Sequence, residues 1–376
     1  MIPTATITFA VIAGGGTSGH VVPALAIAEL LGEAGHSRDS IHLVGSDRGV
    51  EVQLFANSGH EYTLFRVSGL QRSLKPRQLG RTAAMVPQII LATRSAKKLL
   101  RQLRPRVVVS VGGYASIPAT RAARALNIPV VTCSYDRRPG LATIVQSLSA
   151  KVSAVAYLPS SLRRATLTGA PVRASLRHLD RTTHRDCARG NLQIPLDRQV
   201  VVVMGGSLGS GVLNSALEGL LKTWSLRDDL AVLHITGARY LDQQVPSMGQ
   251  GSALWYKRIA YSENMADVYA AADLVVARSG ASTVAEIATV GMAAILVPWK
   301  DAAKNHQHTN AQWLTSQGGA VMLNETDLSS DSLRAAVDAL LQHPEALLAV
   351  SAQARKSGEV HRNCSIAKVI EEAARP

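Results

Sequence analysis

Continuous apolar runs alternate with segments of helical period along the whole chain. In the first half "TITFAVIA", "IHLVG", "VVVSVG" and "PVVTCSY" read as strands, helices begin near Pro23 and Ala115, and a further helical pattern covers 84–103. In the second half "QVVVVMG", "LAVLHITG", "DLVVARSG" and "AAILVPW" read as strands, with helices at about 209–223, 282–291, 306–317 and 330–342. Strands that are apolar on both faces and joined by crossover helices form parallel sheets. The fold class is α/β. Each half opens alike, strand then glycine cluster then helix: "VIAGGGTSGHVVPALAIAEL" and "VVVMGGSLGSGVLNSALEGL". The polar, proline-bearing "LTGAPVRASLRHLDRTTHRDCARGNLQIP" is the natural linker. Two Rossmann-like domains facing across a cleft are expected, 1–168 and 169–350, with a terminal helix over 351–376 packing back across the junction. Such sheets bind ligands beyond the carboxyl ends of their strands, so the cleft is the expected site.

Composition agrees with two domains: 376 residues with 47% apolar and 18% charged content exceed what one core usually serves. No apolar run approaches the ~18 residues that span a bilayer, and "TITFAVIA" reads as the first strand of a cytosolic protein rather than a leader. Cys133, Cys187 and Cys364 are too few and scattered for a disulfide framework or a zinc site. Charge changes the picture more. The net charge is +13, and no acidic residue occurs between Glu61 and Asp136. Such a bias suits an anionic partner. Aromatics at 4% are too scarce for stacking on single-stranded nucleic acid. The mixture of basic and aliphatic residues in "SGLQRSLKPRQLGRTAAMVPQIILATRSAKKLLRQLRPR" suits an anionic lipid surface instead.

A helix N-terminus presents unpaired N–H groups and partial positive charge, so a glycine turn feeding it can cradle phosphate. "GGGTSGH", "VGGYASIPA" and "GGSLGS" all fit, and three such loops around one cleft suggest two phosphate-bearing ligands. Gly14, Gly16 and Gly19 satisfy dinucleotide spacing, but no acidic residue closes the second strand, and the Lys-Ser/Thr ending of a P-loop is missing. In "ARSGASTVAEIATVG" Glu286 falls in the helix's second turn, where a carboxylate can accept two hydroxyl hydrogen bonds, as from a ribose; a surface glutamate is the bland alternative. "KNHQHTNAQWL" offers His306, Gln307 and Asn310 to sugar hydroxyls, while His306 and His308 lack a third metal ligand at usable spacing.

The ordered set "GGGTSGHVVPALAIAEL", "DRGVE", "VGGYASIPA", "PGLAT", "LTGAPVR", "GGSLGSGVLN", "HITG", "NMADVYAAADLVVARSGASTVAEIATVGMAAILVP" and "NHQHTNA" resembles the MurG family over nearly the whole chain. That family transfers N-acetylglucosamine from UDP-N-acetylglucosamine to the lipid-linked muramyl-pentapeptide, making lipid II for peptidoglycan. The resemblance implies the glycosyltransferase B fold, with acceptor and membrane docking on the amino-terminal domain and the UDP-sugar mainly on the carboxy-terminal one. It implies an undecaprenyl-linked acceptor, a peripheral place on the cytoplasmic face of the cell membrane, no cofactor and no metal, consistent with the lack of an Asp-x-Asp. By matched position, Arg173 and Ser207 contact the donor's nucleotide and phosphates and Ser262 sits by the uracil. Ala281, Ser282, Thr283, Val284, Ala285 and Glu286 bracket the nucleoside, with Glu286 on the ribose, and Gln307 meets the sugar. Thr17, Ser18 and Gly19 reach the sugar and diphosphate from the opposite domain, while Gly112, Gly113 and Tyr114 hold the acceptor pyrophosphate. His20 then takes the proton from the acceptor's C4 hydroxyl, a task for which imidazole is suited near neutral pH.

The resemblance frays in the expected cleft. Where the family carries a His-Glu-Gln-Asn run this chain reads "CSYD", so Asp136 replaces an asparagine that contacts the donor sugar and is a second candidate base. Ala170, Leu208 and Ser262 are further departures. A related transferase with another acceptor, a UDP-N-acetylglucosamine 2-epimerase of the same fold, and a non-catalytic scaffold for other cell-wall enzymes remain as alternatives.

Overall fold

The computed structural model describes residues 8–49, 51–67, 76–241 and 251–375. The start of "TITFAVIA", Val50 of "DRGVE" and Arg72 and Lys75 of the basic stretch lie outside the described residues. The first sheet contains β1 (Ala10–Gly14), β2 (Ile41–Ser46), β3 (Glu61–Phe65), β4 (Val107–Gly112), β5 (Val130–Ser134), β6 (Val152–Val155) and β7 (Ala165–Leu167). Their order is β3-β2-β1-β4-β5-β6-β7, and every neighbouring pair is parallel. The second sheet contains β8 (Gln199–Met204), β9 (Leu230–Ile235), β10 (Trp255–Ile259), β11 (Leu274–Ala277), β12 (Ala294–Leu296) and β13 (Val321–Met322). It runs β10-β9-β8-β11-β12-β13, again all parallel.

The two sheets thus repeat one doubly wound order. The chain leaves the first strand of each half to one side and later returns to the other, which creates the switch point where ligands bind in such sheets. The switch lies between β1 and β4 in one half and between β8 and β11 in the other. β1, β4 and β9 are buried at every position, as sheets covered on both faces require. The strands that apolar runs did not announce are β3, β6, β7, β10 and β13. They are edge or short elements such as "EYTLF" and the two-residue "VM", paired for their backbone rather than driven by an apolar face.

The described contacts divide the chain into two units, Met1–Ala174 with Asn363–Pro376, and Ser175–Arg362. The boundary falls six residues later than the 168/169 expected from composition. Thr168, Ala170 and Val172 are buried, Ser365 N–H donates to the Thr168 carbonyl, and Glu29 accepts the Ala174 N–H at 2.8 Å. The terminal segment also divides differently from the expected 351–376. Helix Pro344–Ser357 and Glu359–Arg362 pack on helix Ala281–Val290 of the second unit, with Ser351 Oγ donating to Gly291 O at 2.6 Å and Arg362 Nη1 to Thr289 O at 2.9 Å. Only helix Ile366–Ala374 returns to the first unit, against helix Ser18–Glu33, β4, β5 and β6.

Candidate active site

In the first unit the site begins where β1 and β4 end side by side, Gly14 in register with Gly112. Two turns leave the sheet there. Gly16, at φ +92°, brings its backbone against the ring of Tyr114, whose Cε1 would lie 2.6 Å from any Cβ at that position. Helix Ser18–Glu33 then starts, and His20 is in its first turn. Gly112 and Gly113, at φ +93° and +74°, flank the imidazole so closely that a Cβ on either would come within 3.3 Å of the ring. Nδ1 of His20 lies 3.1 Å from Thr17 Oγ1. Thr17 stands at the N-cap position but its side chain makes no cap, so its hydroxyl serves the histidine instead. Burial lowers the His20 pKa below the usual histidine value, opposed by the carboxylates of Asp136 and Glu51. His20 is neutral at pH 7.

Sequence reasoning missed Glu51. It is fully buried at the start of helix Glu51–Ala56. Its Oε1 accepts from Gly16 N–H at 2.7 Å, Ser46 Oγ at 2.7 Å and Ser46 N–H at 3.3 Å. One amide of this glycine loop is therefore not open to a diphosphate: the Gly16 N–H already serves a carboxylate. Thr17, Ser18, Gly19, Gly112, Gly113 and Tyr114 do gather with His20 as expected, and the Asp136 carboxylate acts on the His20 ring. Tyr135, the aromatic residue of "CSYD", is buried and donates its hydroxyl to the Gly19 carbonyl, with Val111 O at 3.4 Å as a second acceptor.

In the second unit "GGSLGS" leaves β8 and feeds helix Gly211–Thr223. Gly209, at φ +77°, abuts Gly237 of "HITG" so tightly that no side chain fits at either position. Ser210 caps the helix by accepting from Leu213 N–H. Arg278 lies buried behind the loop, donating to Ser210 Oγ, to Val297 O and to Glu325 Oε1. Ser207 and Leu208 are in this turn, on the side of the helix's positive end.

Helix Ala281–Val290 starts beside it, after β11. Here the expected bracket of six residues narrows. Helical period turns Ala281, Val284 and Ala285 into the core, with Val284 and Ala285 fully buried, so what these positions present at the surface is backbone. Ser282, Thr283 and Glu286 remain partly exposed on one face. Tyr269, also missed from sequence, donates its hydroxyl to Glu286 Oε2 at 3.0 Å and so fixes the carboxylate. Gln307 Oε1 accepts from Trp299 N–H at 3.0 Å, and Ser279 Oγ donates to the Gln307 carbonyl at 2.9 Å; what its side chain offers a ligand is the amide N–H₂. Ser262 follows β10 and donates to Asn264 O at 3.2 Å.

Arg173 departs from expectation. It belongs to the first unit, where its guanidinium faces Glu29 at 3.4 Å, rather than to the unit of the second glycine loop. Among the described residues no group of three or more His, Cys, Asp or Glu is gathered closely enough to hold a metal ion.

Residues 10–155 match the glycosyltransferase family 28 N-terminal domain, and residues 200–366 match the C-terminal domain of the same family. A Desulforudis audaxviator protein named UDP-N-acetylglucosamine--N-acetylmuramyl-(pentapeptide) pyrophosphoryl-undecaprenol N-acetylglucosamine transferase is 34% identical over 97% of this chain and 98% of its own. A Mycobacterium tuberculosis protein of the same name is 36% identical over 96% of this chain and 88% of its own. Among solved structures, Acinetobacter baumannii MurG superimposes with a TM-score of 0.70 at 26% identity, covering 97% of this chain and 99% of that one. With both domains matched and relatives above 30% identity along nearly its full length, the chain belongs to glycosyltransferase family 28, among the MurG proteins.

Proposed function

We propose that the protein moves N-acetylglucosamine from UDP-N-acetylglucosamine to the C4 hydroxyl of the muramyl sugar of undecaprenyl-pyrophosphoryl-MurNAc-pentapeptide, making lipid II. The observation that carries the chemistry is the setting of His20. Thr17 Oγ1 lies 3.1 Å from Nδ1, and in the tautomer whose Nδ1–H donates to that oxygen Nε2 is the basic nitrogen. As the acceptor oxygen attacks the anomeric carbon, Nε2 takes its proton, the bond from that carbon to the diphosphate breaks, and UDP departs. Attack opposite the leaving group turns the α-linked donor into a β-linked product. Negative charge growing on the diphosphate is met by the N-termini of helices Gly211–Thr223 and Ala281–Val290 and by Ser207. Glu286, held by Tyr269, accepts the ribose hydroxyls, and Gln307 donates to the sugar. The reaction is expected to run without added metal. Asp136 tunes His20 electrostatically rather than replacing it, because it is the imidazole that stands between Gly112, Gly113 and Thr17.

The acceptor's lipid anchor requires work at a membrane. No helix of the described residues is long and apolar enough to cross one. Helix Pro76–Leu103 exposes Ile90 and Leu91 together with Arg94, Lys98 and Arg101, a basic and aliphatic surface suited to peripheral docking on anionic lipid. The cytoplasmic leaflet is the expected location.

The deciding experiment incubates the purified protein with UDP-N-acetylglucosamine and a lipid I analogue without metal, following UDP release and lipid mass. Gain of one N-acetylhexosamine supports the reading. Donor binding without transfer refutes it and favours a different acceptor, for which the "CSYD" segment beside His20 is the reason to look.

A further inference from the structure

Pro23 is inside helix Ser18–Glu33. Proline has no N–H, and the carbonyl that residue 23 would serve in an α-helix is that of residue 19. The Gly19 carbonyl is thus deprived of its intrahelical partner one residue before His20. Gly19 is half-buried, and a carbonyl shielded from water and left unpaired is costly. The structure supplies a donor from elsewhere in the unit: the Tyr135 hydroxyl, carried just past the end of β5, reaches the Gly19 carbonyl and also approaches Val111 O on β4 at 3.4 Å. One side chain therefore ties the first turn of the helix to the two strand ends beside it.

We propose that Tyr135 is a positioning residue for the transfer reaction, its hydroxyl replacing the hydrogen bond that Pro23 cannot make and so fixing the first helical turn on which His20 is carried. The inference rests on His20 being the base in the reaction proposed above. It assigns a role to a position where this chain departs from its family's His-Glu-Gln-Asn run. With the tie in place the imidazole stays between Gly112 and Gly113 with Nδ1 on Thr17. Without it the turn is free to shift toward the missing contact, and a displacement near 1 Å at a reacting group typically costs up to about 100-fold in rate. The charged groups acting on the ring are Asp136, from the segment after β5, and Glu51, from the helix after β2. Neither is altered by removing the Tyr135 hydroxyl, so a change in His20 titration in the variant reports placement.

Tyr135→Phe removes the donor and keeps the ring. The expected result is a fall in kcat of roughly 10- to 100-fold with KM for UDP-N-acetylglucosamine within about 2-fold. The acidic limb of the pH profile should move upward as the ring gains solvent. Pro23→Ala restores an N–H at residue 23, so the double variant Tyr135→Phe/Pro23→Ala should recover most of the lost kcat, a non-additive pattern that a general packing defect would not give. If Tyr135→Phe lowers only the melting temperature and leaves kcat and pH profile unchanged, or if Pro23→Ala fails to relieve it, the proposal is overturned. The His20 ring titration followed by NMR in wild type, single and double variants keeps this test separate from the reaction itself. A wild type that does not transfer sugar refutes the proposed function, while an unaltered ring titration in Tyr135→Phe refutes the role of Tyr135.

Discussion

The two glycine loops occupy the same place in two sheets of the same strand order, yet they are backed by opposite charges. Behind "GGGTSGH" stands the buried carboxylate of Glu51, bonded to the Gly16 amide. Behind "GGSLGS" stands the buried guanidinium of Arg278, bonded to the capping Ser210. In the second loop the cap is complete and the helix end is left to face an anion. In the first the cap residue, Thr17, is diverted to a histidine and one loop amide is committed to a carboxylate. Topology puts both loops at switch points, where such sheets bind ligands; in the function proposed above the first loop carries the base and the second meets the diphosphate.

The sharpest way to break this contrast is His20→Ala. If the first loop exists for the histidine, kcat should fall by about 10²- to 10⁴-fold, the usual contribution of a general base, with the dissociation constant for UDP-N-acetylglucosamine within about 3-fold. Calorimetric titration beside the UDP-release assay reads both. Wild-type turnover would remove His20 as the base; a large loss of donor affinity would make the first loop a phosphate site after all.

Acid acts on buried histidines in both units: burial lowers the pKa of His20, His42 and His60 in the first. In the second unit burial pushes His234 down to about 4 and His361 down to about 3. In the unfolded chain both titrate near 6.5. Below that pH the unfolded state binds protons the folded state refuses, so the stabilisation is whole above about 6.5 and is lost as pH falls toward 4. Each group contributes a slope of about 1.4 kcal/mol per pH unit, so ~2–4 kcal/mol should disappear from the second unit between pH 6.5 and 5. Hydrogen exchange at the amides of β9 measures the loss, and protection there unchanged between pH 6.5 and 5 would contradict it.

Glu51→Ala tests the carboxylate behind the first loop. It removes the acceptor of the Gly16 and Ser46 N–H groups, while Ser46 Oγ keeps the Arg48 carbonyl at 2.7 Å, and should cost about 1–3 kcal/mol in urea unfolding. A change below ~0.5 kcal/mol would mean the loop holds its form without Glu51. Glu286→Ala, in the second unit, should weaken donor binding by about 10-fold, the value of one hydrogen bond to a charged group. Its kcat should stay near wild type, whereas an equal fall in kcat would place Glu286 in the chemical step.

The long central strands, both glycine loops and the helices at 211–223 and 281–290 were legible because apolar runs and glycine turns are local signals. The resemblance named His20, Tyr114, Ser207 and Glu286, which the structure sets in or just after the glycine turns that follow β1, β4, β8 and β11. What escaped the sequence was tertiary. Glu51, Tyr269 and Arg278 act by meeting a group far along the chain, and nothing in their own neighbourhoods announces the partner. Tyr135 left a trace of its role in the proline at 23, since a proline inside a helical pattern implies an orphaned carbonyl four residues earlier. Helical period alone separates the buried Val284 and Ala285 from the partly exposed Ser282, Thr283 and Glu286 in a motif that was carried over as a block. The domain boundary was misjudged because a polar, proline-bearing stretch looks like a linker even where the returning terminal segment holds it in place.

The smallest expected effect concerns Leu208, in the turn that feeds the second helix. Its side chain is 53% exposed, so it adds little to the core, and Leu208→Gln should change unfolding free energy by less than ~0.5 kcal/mol. The loop's shape does not depend on this side chain, because the tight packing is made by Gly209 against Gly237 and by Ser210 against Arg278. Glutamine would add an amide donor beside the diphosphate without disturbing either, and donor affinity should rise by about 2- to 5-fold, within what one exposed hydrogen bond supplies. A loss of stability above ~1 kcal/mol would show that the loop relies on an apolar contact at this position. Unchanged affinity with unchanged stability would show that the helix end and Ser207 already satisfy the diphosphate, and would leave the positive end of the helix as the determinant of the second loop.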